Sequence, residues 1–359
     1  MTSRGVFMTG FPGFIAGRLV SELLGRDEES SHYYFLVQAD FVERARAQCG
    51  ALERKHPEFA GRWSLVEGDI RLPNLGISPE ELRVLRAGVA WVWHLAAIYD
   101  LRVKVEVAHA VNVEGTLHVL EFCESLLHLR RHYYVSTCYV AGDRGGRVLE
   151  EELDRGQGFK NHYESTKYWA EKLVRNRMSK IPTTVFRPAI VVGDSRTGET
   201  IKGDGPYYVF RLLFRLPRWL PLAHVGDGEA TVNVVPVDFL VEAMAELAGA
   251  EGSEGKVFQL ADPAPYRARE ILQMALKALK RAPALTHLPE RVVTQLLTLP
   301  KMERLVGVSN QTLRYFNHQV EFDVSQTQLH LKDSGVTCPD LKDYLPTLLD
   351  YAERHPEIF

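Results

Sequence analysis

A short apolar run, Val6-Phe7-Met8, leads directly into Thr9-Gly10-Phe11-Pro12-Gly13-Phe14-Ile15-Ala16-Gly17. Beyond it Ile15, Leu19, Val20, Leu23 and Leu24 recur at helical spacing. A buried strand, a glycine-rich turn and a helix in that order is the context in which Gly-x-x-Gly-x-x-(Gly/Ala) means dinucleotide binding and not a bare structural turn. Gly10 permits the tight turn, Gly13 lets the backbone approach a pyrophosphate, and Ala16 is small enough for the helix to lie close on its strand. The free N–H groups at the helix start favour phosphate. Thr9, Pro12, Phe14 and Ile15 complete the run expected to face the cofactor.

The first half of the chain continues that rhythm. Tyr33–Gln38, Ser64–Glu67, Trp91–Leu95, His132–Ser136 and Thr183–Phe186 read as strands, separated by helical patterns, notably Val105–Leu126 and Tyr163–Arg177. This predicts an α/β fold, a Rossmann doubly wound parallel sheet. The rhythm weakens after Gly193 and returns over Asn233–Pro236 and Lys256–Leu260; from Asp262 the chain reads as helices and loops. The expected division is a core of 1–193 and 233–260, with a smaller, mostly helical substrate lobe of 194–232 and 261–359. With 359 residues the chain can bury a sizeable core, and a net charge of -3 argues against nucleic-acid binding. Cys49, Cys123, Cys138 and Cys338 are scattered with no Cys-x-x-Cys pair, which suggests reduced thiols, a cytoplasmic location and no zinc site. No signal peptide fits ahead of the first strand, and no apolar run approaches the ~18 residues of a membrane span.

Chemistry-bearing residues follow in chain order. Gly68-Asp69-Ile70 ends the third strand, where a carboxylate can accept from an adenine amino group, unless it is an ordinary Gly-Asp turn. His94-Leu95-Ala96-Ala97 ends the fourth, its alanines leaving room for a ribose or nicotinamide, and His94 reads as a satisfied core histidine. Asn112 falls within a predicted helix, a costly position unless its amide is used. Ser136-Thr137 ends the fifth strand with hydroxyls able to hold a carbonyl oxygen. Tyr163 and Lys167 stand one helical turn apart on one face, so the ammonium can favour phenolate. The second strand ends at Gln38, followed by Asp40, Arg44 and Arg46. Asp40 argues for NAD, whereas Arg44 or Arg46 would meet the extra phosphate of NADP; a solvated helix face is the bland alternative. NADP is the favoured cofactor, with NAD as the alternative.

In this ordered set the chain resembles the extended short-chain dehydrogenase/reductase family. Thr9-Gly10-x-x-Gly13-x-x-Ala16 is similar to its cofactor loop, and Asp69, His94–Ala97, Asn112, Thr137, Tyr163 and Lys167 fall in its order. The resemblance covers roughly residues 4–260. It implies Thr137, Tyr163 and Lys167 as the catalytic set, Thr137 in preference to Ser136, and Asn112 as support for a proton relay. It also implies Lys167 on the nicotinamide ribose, with Leu95, Ala96, Ala97, Ile70 and Pro188 against the cofactor. Phe186-Arg187-Pro188 through Glu199, Val235-Pro236-Val237-Asp238-Phe239 and Tyr134-Val135-Ser136-Thr137 look like the thioester-reductase and fatty-acyl-CoA-reductase branch, although Gln38 departs from its usual arginine.

The branch implies hydride transfer to or from a carbonyl or thioester carbon of an apolar acyl substrate, free or carried on coenzyme A or an acyl carrier. The alternatives are a sugar-nucleotide epimerase or dehydratase, a hydroxysteroid-type dehydrogenase, and a non-enzymatic dinucleotide sensor. Pro206–His224 is rich in aromatics, leucine and arginine. It reads as a pocket wall or lid, as a helix packed on the lobe, or as a peripheral membrane contact. The substrate pocket expected from these readings is Thr137, Tyr139, Tyr207, Phe210 and Leu213, with Arg211, Arg215 and Arg218 available to an acidic carrier, a coenzyme phosphate or an anionic surface.

Overall fold

Seven parallel strands form the central sheet of the computed structural model, which describes residues 5–27, 31–99, 103–201, 203, 205–220, 222–284, 286–289, 291, 295 and 318–358. The chain opens with β1 (Gly5–Thr9), α1 (Phe14–Leu24), β2 (His32–Val37), α2 (Val42–Lys55), β3 (Trp63–Glu67), α3 (Pro79–Gly88) and β4 (Val89–His94). Next come α4 (Val105–His109), a π-helical turn (Ala110–Glu114), α5 (Gly115–Ser125), β5 (Arg131–Val135), β6 (Gly146–Val148), α6 (His162–Arg177) and β7 (Thr183–Pro188). Then follow β8 (Ile190–Val192), α7 (Tyr207–Arg215), β9 (Ala223–Val225), β10 (Val234–Pro236), α8 (Val237–Gly249) and β11 (Val257–Leu260). The last described elements are α9 (Ala268–Ala278), β12 (Thr286–Leu288), β13 (Val320–Phe322), α10 (Ser325–Leu331) and α11 (Leu341–Arg354).

The sheet order is β3-β2-β1-β4-β5-β7-β11, parallel throughout. Helices cover both faces, so β1, β7 and β11 are buried along their whole length and read as apolar runs instead of alternating. Strand order reverses between β1 and β4, which opens a crevice at their carboxyl ends. Into it runs α1, held on the sheet by Ala16, Leu19, Val20 and Leu24. The phase of α6 is set at its start, where the Asn161 side chain accepts from the Glu164 N–H at 2.9 Å.

Under the crevice lies a buried ionic knot. Arg187 of β7 donates to both carboxylate oxygens of Glu171 on α6, at 2.7–3.2 Å, and to the carbonyls of Glu150 and Glu152. Ser136 adds a 2.6 Å bond to the same carboxylate. Both charges are fully buried. Removing either partner of such a pair alone typically costs about 3–5 kcal/mol, because the other is left uncompensated. The two stretches similar to acyl reductases meet nearby. β8 pairs with β10, Asp238 accepts from the Ser195 N–H and hydroxyl at 2.9 and 2.6 Å, and Arg18 of α1 donates to Asp194 at 3.1 Å. Their visible work is to fix the 193–199 loop beside the crevice.

Two expectations are corrected. The helix predicted over Val105–Leu126 is interrupted by the π turn that contains Asn112. The stretch from Asp262 is not only helices and loops: β12 pairs with β9, and β13 with β6. Moreover Val320, Phe322, Val324, Leu331 and Val336 join the core of the main sheet, so this part of the expected lobe packs with the Rossmann core. Buried Glu150 fastens it, accepting from the backbone N–H groups of Gln259, Gln326 and Thr327. A three-residue strand carries too little alternation to be visible in sequence. Residues 296–317 lie outside the described residues. The lobe has its own apolar cluster, in which Tyr207, Phe210 and Leu213 pack with Val234, Leu276 and Leu348.

Candidate active site

A cavity of about 1740 Å³ occupies the crevice. This exceeds the roughly 300–1,000 Å³ of a site for one drug-sized ligand, so a dinucleotide and a second molecule have room together. Thr9, Gly10, Pro12, Gly13, Phe14 and Ile15 all line it. Gly10 has φ +88°, and a Cβ there would lie 2.8 Å from the Ala96 nitrogen; a Cβ on Gly13 would lie 2.5 Å from the Gly10 carbonyl oxygen. Gly13 is therefore required first by the loop's own closure, which its N–H makes to that same oxygen at 2.8 Å, before any ligand approaches.

His94 has the structural role expected of it. Thr116 Oγ1 donates to the Asn112 carbonyl at 2.6 Å, so it must accept from His94 Nε2 at 3.0 Å. Nδ1 is then the unprotonated nitrogen and accepts from Thr9 Oγ1 at 2.8 Å, which itself accepts from the Ala96 N–H. Burial, with Lys167 nearby, holds the imidazole neutral by lowering its pKa well below the usual value. The chain of bonds fixes the Leu95-Ala96-Ala97 wall of the cavity.

Gln38 and Asp69-Ile70, just past the carboxyl ends of β2 and β3, line the cavity together with Arg44 of α2. Asp69 is already engaged, accepting from Gln38 Nε2 at 2.9 Å and from the Arg71 backbone and guanidinium at 2.5–3.1 Å. Arg71 also lines the cavity and escaped the sequence reading, which stopped at Ile70. Asp40 and Arg46 are exposed and outside the lining.

Tyr163 and Lys167 line the same cavity, as do Thr137, Tyr139 and Pro188. The Tyr163 ring meets Tyr99 edge-on, with centroids 4.8 Å apart; Tyr99, two residues past Ala97, was another residue missed. Thr137 reaches the Pro188 carbonyl at 3.4 Å, whereas the Ser136 hydroxyl is spent on Glu171. Asn112 is buried away from the lining. Its amide accepts from the Ile98 N–H and donates to the Ile98 carbonyl and Thr166, so it anchors the chain leading to Tyr99.

Lys167 is 3% exposed. Its ammonium donates to the Tyr134 hydroxyl at 2.9 Å and the Val135 carbonyl at 2.7 Å. Burial drops its pKa to about 7, against the opposing pull of Glu171. An unfolded lysine titrates near 10.5. Between these values the unfolded chain holds the proton and the folded, ligand-free protein does not, so this group's penalty is full below about pH 7 and is relieved as pH rises. Lys167→Met should therefore be most favourable to stability at about pH 6, and its advantage over wild type should shrink toward about pH 8.5. Urea unfolding of both proteins across that range checks this. A pH-independent difference would show that Lys167 is not depressed.

The lobe side of the cavity corrects the expected substrate pocket. α7 has two faces: Tyr207, Phe210 and Leu213 are buried in the lobe core, where the Tyr207 hydroxyl accepts from the Gly193 N–H at 2.8 Å. Tyr208, Arg211 and Arg215 line the cavity. The pocket wall and the packed helix are thus opposite faces of one element. α7 ends before Pro217, and Pro221 lies outside the described residues. No helix among the described residues is long and apolar enough to cross a membrane.

Comparison with known proteins agrees with this architecture. The model of an NAD-binding family described as Male sterility protein matches residues 8–244. The chain is 27% identical over 275 residues to the fatty acyl-CoA reductase wat of Drosophila melanogaster, covering 67% of this chain and 53% of that protein. The chain spans about half the length of this and another fatty acyl-CoA reductase relative from the same organism. The crystal structure of the terminal R domain from the myxalamid PKS-NRPS biosynthetic pathway superposes with a TM-score of 0.83 at 25% identity, covering 100% of this chain and 92% of that one. A thiolation-reductase di-domain from an archaeal non-ribosomal peptide synthetase shares the fold, with a TM-score of 0.76 at 17% identity, covering 100% of this chain and 77% of that chain.

Proposed function

The chain belongs to the male sterility protein family of NAD-binding domains, in the extended short-chain dehydrogenase/reductase class, and from that premise we propose that it reduces the acyl carbon of a thioester at the expense of NADPH. The observation that carries this reading is the single cavity that brings Tyr163, Lys167 and Thr137 together with the glycine loop. The fit of a dinucleotide rests on that loop: two glycines without space for a Cβ, followed by the N-terminal turn of α1.

When bound, the nicotinamide supplies a hydride to the acyl carbon. Charge then develops on the acyl oxygen, where Tyr163 donates its proton and Thr137, giving up its long 3.4 Å contact with the Pro188 carbonyl, a second hydrogen bond. The resulting hemithioacetal loses a thiol and leaves an aldehyde. Lys167 has three donors, two of them engaged in the ligand-free protein. The third is proposed to serve the nicotinamide ribose, an acceptor that would raise its pKa again and restore the cation beside Tyr163. The setting we propose is cytoplasmic, where the buried thiols of Cys49, Cys123 and Cys138 would stay reduced.

NADPH is favoured over NADH because Arg44 and Arg71 line the adenosine end while Asp40 does not. Arg44→Ala should weaken NADPH binding about tenfold, near 1.4 kcal/mol, and leave NADH within about twofold. Calorimetric titration with both cofactors checks it, and an equal loss for both would remove the assignment of Arg44 to the extra phosphate. The reaction itself is tested by mass spectrometry of products after incubation with NADPH or NADH and acyl-CoA, carrier-bound acyl, aldehyde and nucleotide-sugar substrates. An aldehyde or alcohol from a thioester is the expected result. Turnover confined to nucleotide sugars would overturn it.

A further inference from the structure

Most amphipathic helices turn their charged face to bulk water. On α7 that face is a wall of the cavity. Arg211 and Arg215 stand there one turn apart, and the Arg211 guanidinium lies over the Tyr208 ring at 5.4 Å. Like charges at this spacing oppose each other by a few tenths of a kcal/mol. Among the described residues Arg215 has no ion-pair partner, whereas Arg218, past Pro217 and outside the cavity, faces Glu353 at 3.8 Å. The helix's negative end accounts for a cation in its last turn, but not for two cations, half-buried Arg211 and exposed Arg215, on the lining of one cavity. They also stand on a different element from the other arginines of the lining: α7 belongs to the lobe cluster, whereas Arg44 is on α2, which packs on the sheet, and Arg71 follows β3. The cavity is therefore lined by arginines on two separate elements, Arg44 on α2 and Arg211 with Arg215 on α7, while Arg71 is already paired with Asp69; Tyr163 and Lys167 share the same lining.

We propose that Arg211 and Arg215 read the phosphate of a 4′-phosphopantetheine arm, the chemistry that coenzyme A and acyl carriers share, and so set the end from which the thioester enters. The assignment rests on the thioester reading above. Its geometry is that of an elongated substrate: thioester at Tyr163, a thin amide-rich arm along the β8 side of the cavity, and a dianion at the α7 wall. Two guanidiniums suit a phosphate because each offers paired donors.

The test compares four thioesters of one acyl chain: on pantetheine, on 4′-phosphopantetheine, on coenzyme A and on an acyl carrier. The readout is each kcat/KM divided by that for the phosphate-free pantetheine thioester. Wild type should favour the phosphate-bearing forms. Arg211→Gln with Arg215→Gln should cut the ratio by on the order of a hundredfold for 4′-phosphopantetheine and coenzyme A alike. Arg215→Lys should keep most of it, and Arg218→Gln should leave it in place. Melting temperatures within a few degrees establish that the variants fold. A ratio unchanged in the double variant overturns the assignment. So does a loss confined to the carrier, which would assign the arginines to the carrier's surface, and so does a rise in KM for NADPH at constant ratio, which would assign them to the cofactor. A wild type that reduces thioesters with no preference for phosphate sinks this assignment alone, whereas one that reduces no thioester sinks the parent reading as well.

Discussion

Tyr163→Phe should lower the rate of the reductive step by about a hundred- to ten-thousand-fold, the usual worth of a general acid, while dinucleotide affinity stays within about twofold of wild type. The phenylalanine ring can keep the edge-on contact with Tyr99 at 4.8 Å, so the aromatic packing survives and only the proton donor is lost. Thr137, its hydroxyl turned away from the long 3.4 Å contact with the Pro188 carbonyl, remains to stabilise the developing charge. This residual donor is why a finite rate should persist. Single-turnover kinetics with prebound NADPH is the right measurement, because slow product release would mask a loss in steady state. A variant that keeps more than half of the wild-type single-turnover rate would remove Tyr163 from the role of acid.

What sequence could and could not reveal about this site divides along physical lines. The glycine loop, Thr137, Tyr163 and Lys167 are legible because each position demands a residue type: a missing Cβ, a hydroxyl at a strand end, a phenol and an amine one turn apart. The sheet is legible for a related reason, since strands buried on both faces become apolar runs. The phase of α7 was harder to read. In Tyr207-Tyr208-Val209-Phe210-Arg211-Leu212-Leu213-Phe214-Arg215 nearly every position is apolar, so the aromatics do not say which side is the core. The two arginines do, and they mark the cavity wall, while Tyr207, Phe210 and Leu213, expected to line the pocket, fill the lobe. Arg71 and Tyr99 were invisible because they enter through loop geometry after a recognised motif, with no periodicity of their own. Depression of Lys167 comes from burial of its ammonium against β5, a tertiary fact. The return of residues 320–336 to the main core depends on Glu150, 176 positions earlier than its partner Gln326, and no local pattern announces a contact of that span.

Gly13→Ala should weaken dinucleotide binding by on the order of a hundredfold, about 2.7 kcal/mol, through a single methyl group. At Gly13 the backbone is extended, φ -75° and ψ 162°, so alanine meets no torsional strain. The obstacle is contact: the new Cβ would lie 2.5 Å from the Gly10 carbonyl oxygen, and backbone on both sides cannot yield as a side chain could. Relief requires opening the 2.8 Å bond from the Gly13 N–H to that oxygen, which moves the turn that presents the start of α1 to the cavity. Helix and sheet need not follow, because α1 is held lower down by Leu19, Val20 and Leu24. Circular dichroism should therefore be unchanged and the melting temperature only a few degrees lower, while calorimetry records the loss for NADPH and NADH alike. Gly249→Ala is the matched comparison: a Cβ there meets nothing within 4 Å at the end of α8, and replacing a helical glycine stabilises by up to about 1 kcal/mol. Retention of wild-type affinity in Gly13→Ala would mean that the loop does not cradle the cofactor. A loss of fold in step with affinity would mean that the turn holds α1 on the sheet.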